Sequence, residues 1–202
     1  MKRSIAIVIF PDVEELDFVG PWEVFSYLRA LEPNACDVFT VSENGGEVRC
    51  AKGLRVLADY SFDTAPKADI VLVPGGMGTR TEVDNPRLID YLTRAAATAE
   101  VTTSVCTGSF LLERAGLLAG KRATTHWASL DRLRALGTVE VVEERWVHHG
   151  PVITASGVSA GIDMALYLVG HLWSPEAARR VQKGIEYFPA PPYADVPVPA
   201  GH

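Results

Sequence analysis

The chain has 202 residues, 48% of them hydrophobic, and a formal net charge of −6, enough for one domain whose core needs no disulfide or metal staple. The acidic balance, with no Lys/Arg run longer than a pair, argues against nucleic acid as a partner, and no apolar stretch reaches membrane-spanning length. Cys36, Cys50 and Cys106 have neither disulfide-framework nor zinc-site spacing, so the expectation is a cytoplasmic protein acting on a small molecule, with no metal and no membrane association.

Residues 4–10, Ser-Ile-Ala-Ile-Val-Ile-Phe, form a continuous apolar run of strand length, the pattern of a parallel strand covered on both faces. An acidic loop follows, with Asp12, Glu14, Glu15 and Asp17, and Pro21 suits the first turn of a helix running to about residue 31. Asp17 then lies in a loop at the carboxyl end of the first strand, where open α/β sheets bind ligands. It differs from its acidic neighbours in sitting between Leu16 and Phe18. Apolar surroundings raise a carboxyl pKa and make it a proton donor near neutrality; the alternative is a plain loop carboxylate near a helix N-terminus.

Residues 37–41 alternate as a second strand. Residues 48–50 and 54–59, joined through Lys52-Gly53, read as a small hairpin beside the main sheet. Residues 69–73 are another buried strand, ending in Pro74-Gly75-Gly76-Met77-Gly78. That run is either a tight turn or a place where bare backbone nears a substrate, with the Gly76 N–H meeting developing negative charge. Asn85-Pro86 starts a helix to about residue 99.

Residues 101–105, Val-Thr-Thr-Ser-Val, run into Cys106, and Gly108 opens an apolar helix. A side chain on such a strand-to-helix turn stands clear of the sheet, which makes Cys106 the candidate nucleophile. N–H groups opening the helix favour an anion, so the thiol pKa is expected to fall. The competing reading is a small buried hydrophobe. Residues 122–125 form a short strand leading to His126, which either lines the pocket or only hydrogen-bonds locally. A helix near 129–136 and short β segments at 139–142, 146–149 and 152–155 follow. Gly157, in Ser156-Gly157-Val158-Ser159, is a candidate substrate-binding or oxyanion position before a helix over 162–173, and Pro175 restarts a helix to about residue 187. His148 and His149, preceding a turn, read as surface residues. Strand and helix alternate, which predicts a doubly wound, mostly parallel α/β sheet with helices on both faces over residues 1–188. A proline-rich arm over 189–202 completes the chain.

With Cys106 on an elbow, Asp17 after the first strand and the Pro-Gly-Gly loop after strand 69–73, the chain resembles the ThiJ/PfpI superfamily. That implies a glutamine-amidotransferase-like, flavodoxin-like fold over nearly the full length. More narrowly, Leu16-Asp17-Phe18-Val19-Gly20-Pro21, Ser104-Val105-Cys106-Thr107-Gly108-Ser109, the stretch 120–127, Ala160-Gly161-Ile162-Asp163, and Glu186-Tyr187 with the prolines after it are similar to the isonitrile hydratases. The resemblance implies hydration of an organic isocyanide to an N-substituted formamide without a cofactor. Cys106 would be the nucleophile and Asp17 the acid. Thr107 would support the site, and backbone groups of Gly76 and Thr107 would stabilise charge. Phe18, Trp127 and Val158 are expected to receive the organic substituent. Thr107 stands where peptidase-like members carry histidine, which weighs against a Cys-His peptidase. Two alternatives stay open: glyoxalase-like chemistry on an α-oxoaldehyde, and a non-catalytic oxidant or metabolite sensor akin to the ligand domain of AraC-type regulators. A homodimer is the expectation carried over from relatives of this fold.

Overall fold

The computed structural model describes residues 2–193; residues 194–202, most of the expected arm, lie outside the described residues. Four apolar runs make the centre of the molecule: β1 (Arg3–Val8), β6 (Ile70–Val73), β7 (Val101–Val105) and β11 (Val152–Ala155). The last four residues of β1 and all of β6, β7 and β11 are buried, because a parallel strand between two helical layers has no wet face. With β2 (Cys36–Ser42), β5 (Tyr60–Ser61) and β10 (Trp146–His149) they form one seven-stranded sheet in the order β10-β11-β7-β6-β1-β2-β5. All neighbours are parallel except β10 against β11, which turn back on each other around Gly150-Pro151.

The chain leaves β1 toward β2 on one side and later builds β6 and β7 on the other. That reversal opens a crevice at the carboxyl ends of β1 and β6. Helices α1 (Glu15–Leu31), α6 (Ala160–Leu172) and α7 (Pro175–Gly184) pack as one group, and α2 (Thr79–Glu82), α3 (Pro86–Ala96) and α4 (Gly108–Arg114) as another. β3 (Gly46–Arg49) and β4 (Arg55–Ala58) form the expected hairpin outside the main sheet. β8 (Arg122–Ala123) and β9 (Glu140–Val141) make a small parallel pair, with α5 (Leu130–Arg134) between them.

The start of α1 corrects one expectation. Pro21 does not open this helix; it lies inside it, six residues after Glu15 in a segment whose first turn carries Glu15 and Asp17. Acids in a first turn complement the helix dipole, and Pro21, lacking an N–H, cannot bond back to the Asp17 carbonyl. Asp17 is therefore a helical residue, on the buried side of the first turn.

Candidate active site

Five separate segments meet above the carboxyl ends of β1, β6 and β7. Cys106 sits between β7 and α4 with φ +56°, a left-handed conformation that costs a non-glycine residue about 1–2 kcal/mol. Its backbone is held on both sides. The Cys106 N–H donates to the carbonyls of Ala155 (3.2 Å) and Ser156 (2.9 Å), and its own carbonyl accepts from Thr125 Oγ1 (2.9 Å) and Ser109 Oγ (3.3 Å). The sharp strand-to-helix turn read from the sequence is present. The backbone N–H groups of Thr107 and Val158, and the Thr107 side chain, favour negative charge on the sulfur, and Val158 is itself in a left-handed conformation, φ +38°.

Asp17 reaches the same point from α1 and is fully buried. Its Oδ2 accepts the Gly75 N–H at 2.8 Å, while Oδ1 is buried with no partner at full hydrogen-bond geometry. Burial pushes the carboxyl up to about 7, with the Gly75 N–H and the Cys106 thiol pulling the other way. The raised acid expected from Leu16 and Phe18 is thus present, although Leu16 is partly exposed and the burial comes from the helix turn itself.

The thiol runs against expectation. Instead of falling, the Cys106 pKa is pushed up to about 12, by burial first and the Asp17 charge second. The two N–H groups at the sulfur act in the opposite direction and are outweighed. α4 spans only seven residues, so little dipole offsets the loss of water around a thiolate. Of the two groups the carboxyl gives up its proton first, near neutrality, and the sulfur keeps its own.

Thr107 ties the glycine loop to the elbow. Its Oγ1 accepts from the Gly76 N–H (3.0 Å) and from Thr79 Oγ1 (3.1 Å), and lies 3.2 Å from the Gly76 carbonyl. The Gly76 N–H is therefore committed to Thr107, not aimed at a substrate, and the donors at the sulfur are Thr107 and Val158. Gly75 must be glycine here: a Cβ on it would stand 2.5 Å from the Thr107 nitrogen and 2.9 Å from Asp17 Oδ2. Gly157 acts in the same way beneath His126, whose ring a Cβ would meet at 2.5 Å, so it makes room for the histidine and does not itself border the pocket.

A pocket of about 300 Å³ opens over these groups, bordered by Cys106, Thr107, Gly76, His126 and Val158. Burial holds His126 below the usual imidazole range, and its Nδ1 accepts the Ala128 N–H at 3.2 Å. Phe18 and Trp127 do not border the pocket: Phe18 is buried in the core and Trp127 faces solvent. Glu14, Met77, Arg80 and Arg132 do; Glu14 and Met77 belong to the acidic and glycine-rich loops read from the sequence, whereas no sequence pattern singled out Arg80 and Arg132, which converge only through the fold. Among the described residues no group of three or more His, Cys, Asp or Glu side chains is placed to hold a metal ion, and no helix is long and apolar enough to cross a membrane. Cys36 and Cys50 are buried away from the pocket, and burial pushes both thiols up to about 11.

Known proteins place this arrangement in context. The chain is 39% identical to an isonitrile hydratase of Pseudomonas putida, over 96% of its own length and 82% of that protein. It is 27% identical to the HTH-type transcriptional regulator CdhR of Pseudomonas aeruginosa, over 91% of this chain but 54% of the regulator. The crystal structure of a ThiJ/PfpI family protein from Pseudomonas syringae superposes with a TM-score of 0.89 at 30% identity, covering 98% of this chain and 80% of that one. The DJ-1/PfpI family profile matches residues 3–171. The strand order, the elbow and the full-length similarity agree, and the chain belongs to the DJ-1/PfpI family.

Proposed function

We propose that this protein adds water to the terminal carbon of an organic isocyanide and releases the N-substituted formamide. The reading rests on the pairing of Cys106 with a buried carboxyl that titrates at about 7, at the floor of a pocket of about 300 Å³. The likeness to an isonitrile hydratase supports it.

The Asp17 carboxylate takes the thiol proton as sulfur attacks the isocyanide carbon, which avoids a free thiolate. A C–S bond forms, and Asp17 returns the proton to that carbon, giving the thioimidate R–N=CH–S. Water then adds: oxygen bonds to the carbon and one proton goes to nitrogen. Collapse of the adduct breaks the C–S bond, and the hydroxyl proton returns through Asp17 to the departing sulfur. The sum is R–N≡C + H₂O → R–NH–CHO, with no change of oxidation state outside the substrate and the Asp17–Cys106 pair restored. N–H groups of Thr107 and Val158 stabilise the sulfur while it carries charge. Thr107 Oγ1, bonded to the glycine loop, keeps that geometry.

Formamide release from a simple aromatic isocyanide, followed by absorbance, tests the reading. Cys106→Ala should abolish turnover, and Asp17→Asn should lower it by about 10²–10⁴-fold. No turnover by the parent protein overturns the function; turnover surviving in Cys106→Ala overturns the mechanism. Methylglyoxal consumption without isocyanide turnover moves the same two residues to α-oxoaldehyde chemistry.

A further inference from the structure

The pocket over Cys106 carries a charge imbalance. Once the Asp17–Cys106 pair has lost its first proton it holds one negative charge, and the chain as a whole is at −6. The one acid on the pocket wall, Glu14, is already paired with Lys52. Two guanidinium groups nonetheless border the cavity without a carboxylate of their own. Most arginines of the chain are ion-paired. Among the described residues Arg29, Arg49, Arg80 and Arg132 are not, and the last two share this one pocket.

Both are partly positioned in advance. The Arg132 guanidinium lies 4.3 Å from the ring centroid of buried Phe110. Stacking uses the flat face of a guanidinium and leaves its in-plane N–H groups free. Arg80 Nη1 rests against Met77 Sδ, which also borders the pocket. Paired N–H forks of this kind suit a planar, two-oxygen anion, and the cavity that both arginines border is also bordered by Cys106.

We infer that Arg80 and Arg132 hold the carboxylate of an isocyano carboxylic acid while its isocyanide carbon meets Cys106. The inference rests on the hydratase reading above and gives it a substrate class. For an α-isocyano acid the balance is ⁻O₂C–CHR–N≡C + H₂O → ⁻O₂C–CHR–NH–CHO, so the product is an N-formyl amino acid.

The test compares isocyanoacetate with its neutral methyl ester. The wild-type ratio of kcat/KM, acid over ester, should exceed about tenfold, shrink with added salt, and fall by about tenfold or more in Arg80→Met/Arg132→Met. Arg80→Lys/Arg132→Lys should recover part of it. A second measurement does not depend on turnover: the rate of Cys106 alkylation by iodoacetate relative to neutral iodoacetamide, read by mass spectrometry. That ratio should also drop about tenfold in the Met variant. If both ratios stay within about threefold of wild type while the ester is hydrated, the carboxylate site is overturned and the hydratase reading stands. If neither isocyanide is hydrated but the alkylation ratio still depends on the arginines, the hydratase reading falls and the carboxylate site stands.

Discussion

Asp17 and Cys106 titrate as one unit, since each sits in the other's field. In the proposed mechanism the carboxylate is the proton acceptor, so kcat/KM should climb with pH toward about 7, where Asp17 loses its proton, and hold above it. Asp17→Asn should lose that limb, which a pH–rate profile reads directly. The same group makes a stability prediction of opposite sign to the usual carboxylate. Its folded pKa of about 7 lies above the ordinary 3.8, so between those values the folded chain binds the extra proton and stability falls as pH rises. Asp17→Asn removes a cost of at most about 4 kcal/mol at pH 8. It should melt several degrees above wild type there and level with it near pH 4, by calorimetry. A lower melting point at pH 8 would show that the carboxylate's bonds outweigh its burial. Both residues could be placed near the carboxyl edge of the sheet from the sequence, Cys106 at its turn but Asp17 in a loop instead of the helix it occupies. The direction of the thiol shift was not legible there, because it is set by burial and by a charge delivered from a distant helix, and Arg80 and Arg132 carry no local pattern at all.

The element that most constrains the site is the turn between β11 and α6. Val158 is β-branched and sits at φ +38°, a conformation that persists only where the surroundings force it. Arg145 braces the residues on either side of Val158. Its carbonyl accepts the Ser156 N–H at 3.0 Å, and its side chain bonds Asp163 Oδ2 at 2.7 Å and Ser159 Oγ at 3.1 Å. Arg145→Met should cost about 1–3 kcal/mol of stability. It should also slow Cys106 alkylation by iodoacetamide, because the Val158 N–H no longer faces the sulfur; an alkylation rate unchanged at 25 °C would separate the clasp from the site. Elements with strong local signals were readable: the apolar runs of β1, β6 and β7, and α3, where Asn85 caps the Arg87 and Leu88 N–H groups ahead of Pro86. α1 was misplaced because no side chain caps its start, so Pro21 was the strongest signal in view. α2, with four residues, and β5, with two, are too short for any periodicity.

At the scale of the whole molecule, alternation of strand and helix in the sequence announced a parallel sheet. The positions of the two-residue strands depend on long-range pairing that no local pattern carries. Leu72, fully buried in β6 between β1 and β7, tests how the sheet supports the site. Leu72→Ala should cost about 2–5 kcal/mol and lower the melting temperature by roughly 2–4 °C per kcal/mol. Because the strand ends carry the site as a unit, activity and calorimetric unfolding should fail at one temperature; loss of activity well below it would point to a local distortion of the pocket. The two remaining cysteines give the molecule a built-in clock. Cys36 opens β2 and Cys50 sits beside the outer hairpin, and both thiols, at about 11, become ordinary and fast-reacting once water reaches them. Pulse labelling at pH 8 should therefore mark Cys50 at the pace of the hairpin's fraying and Cys36 at the slower pace of the sheet's rupture, so one reagent times two breathing motions in a single chain.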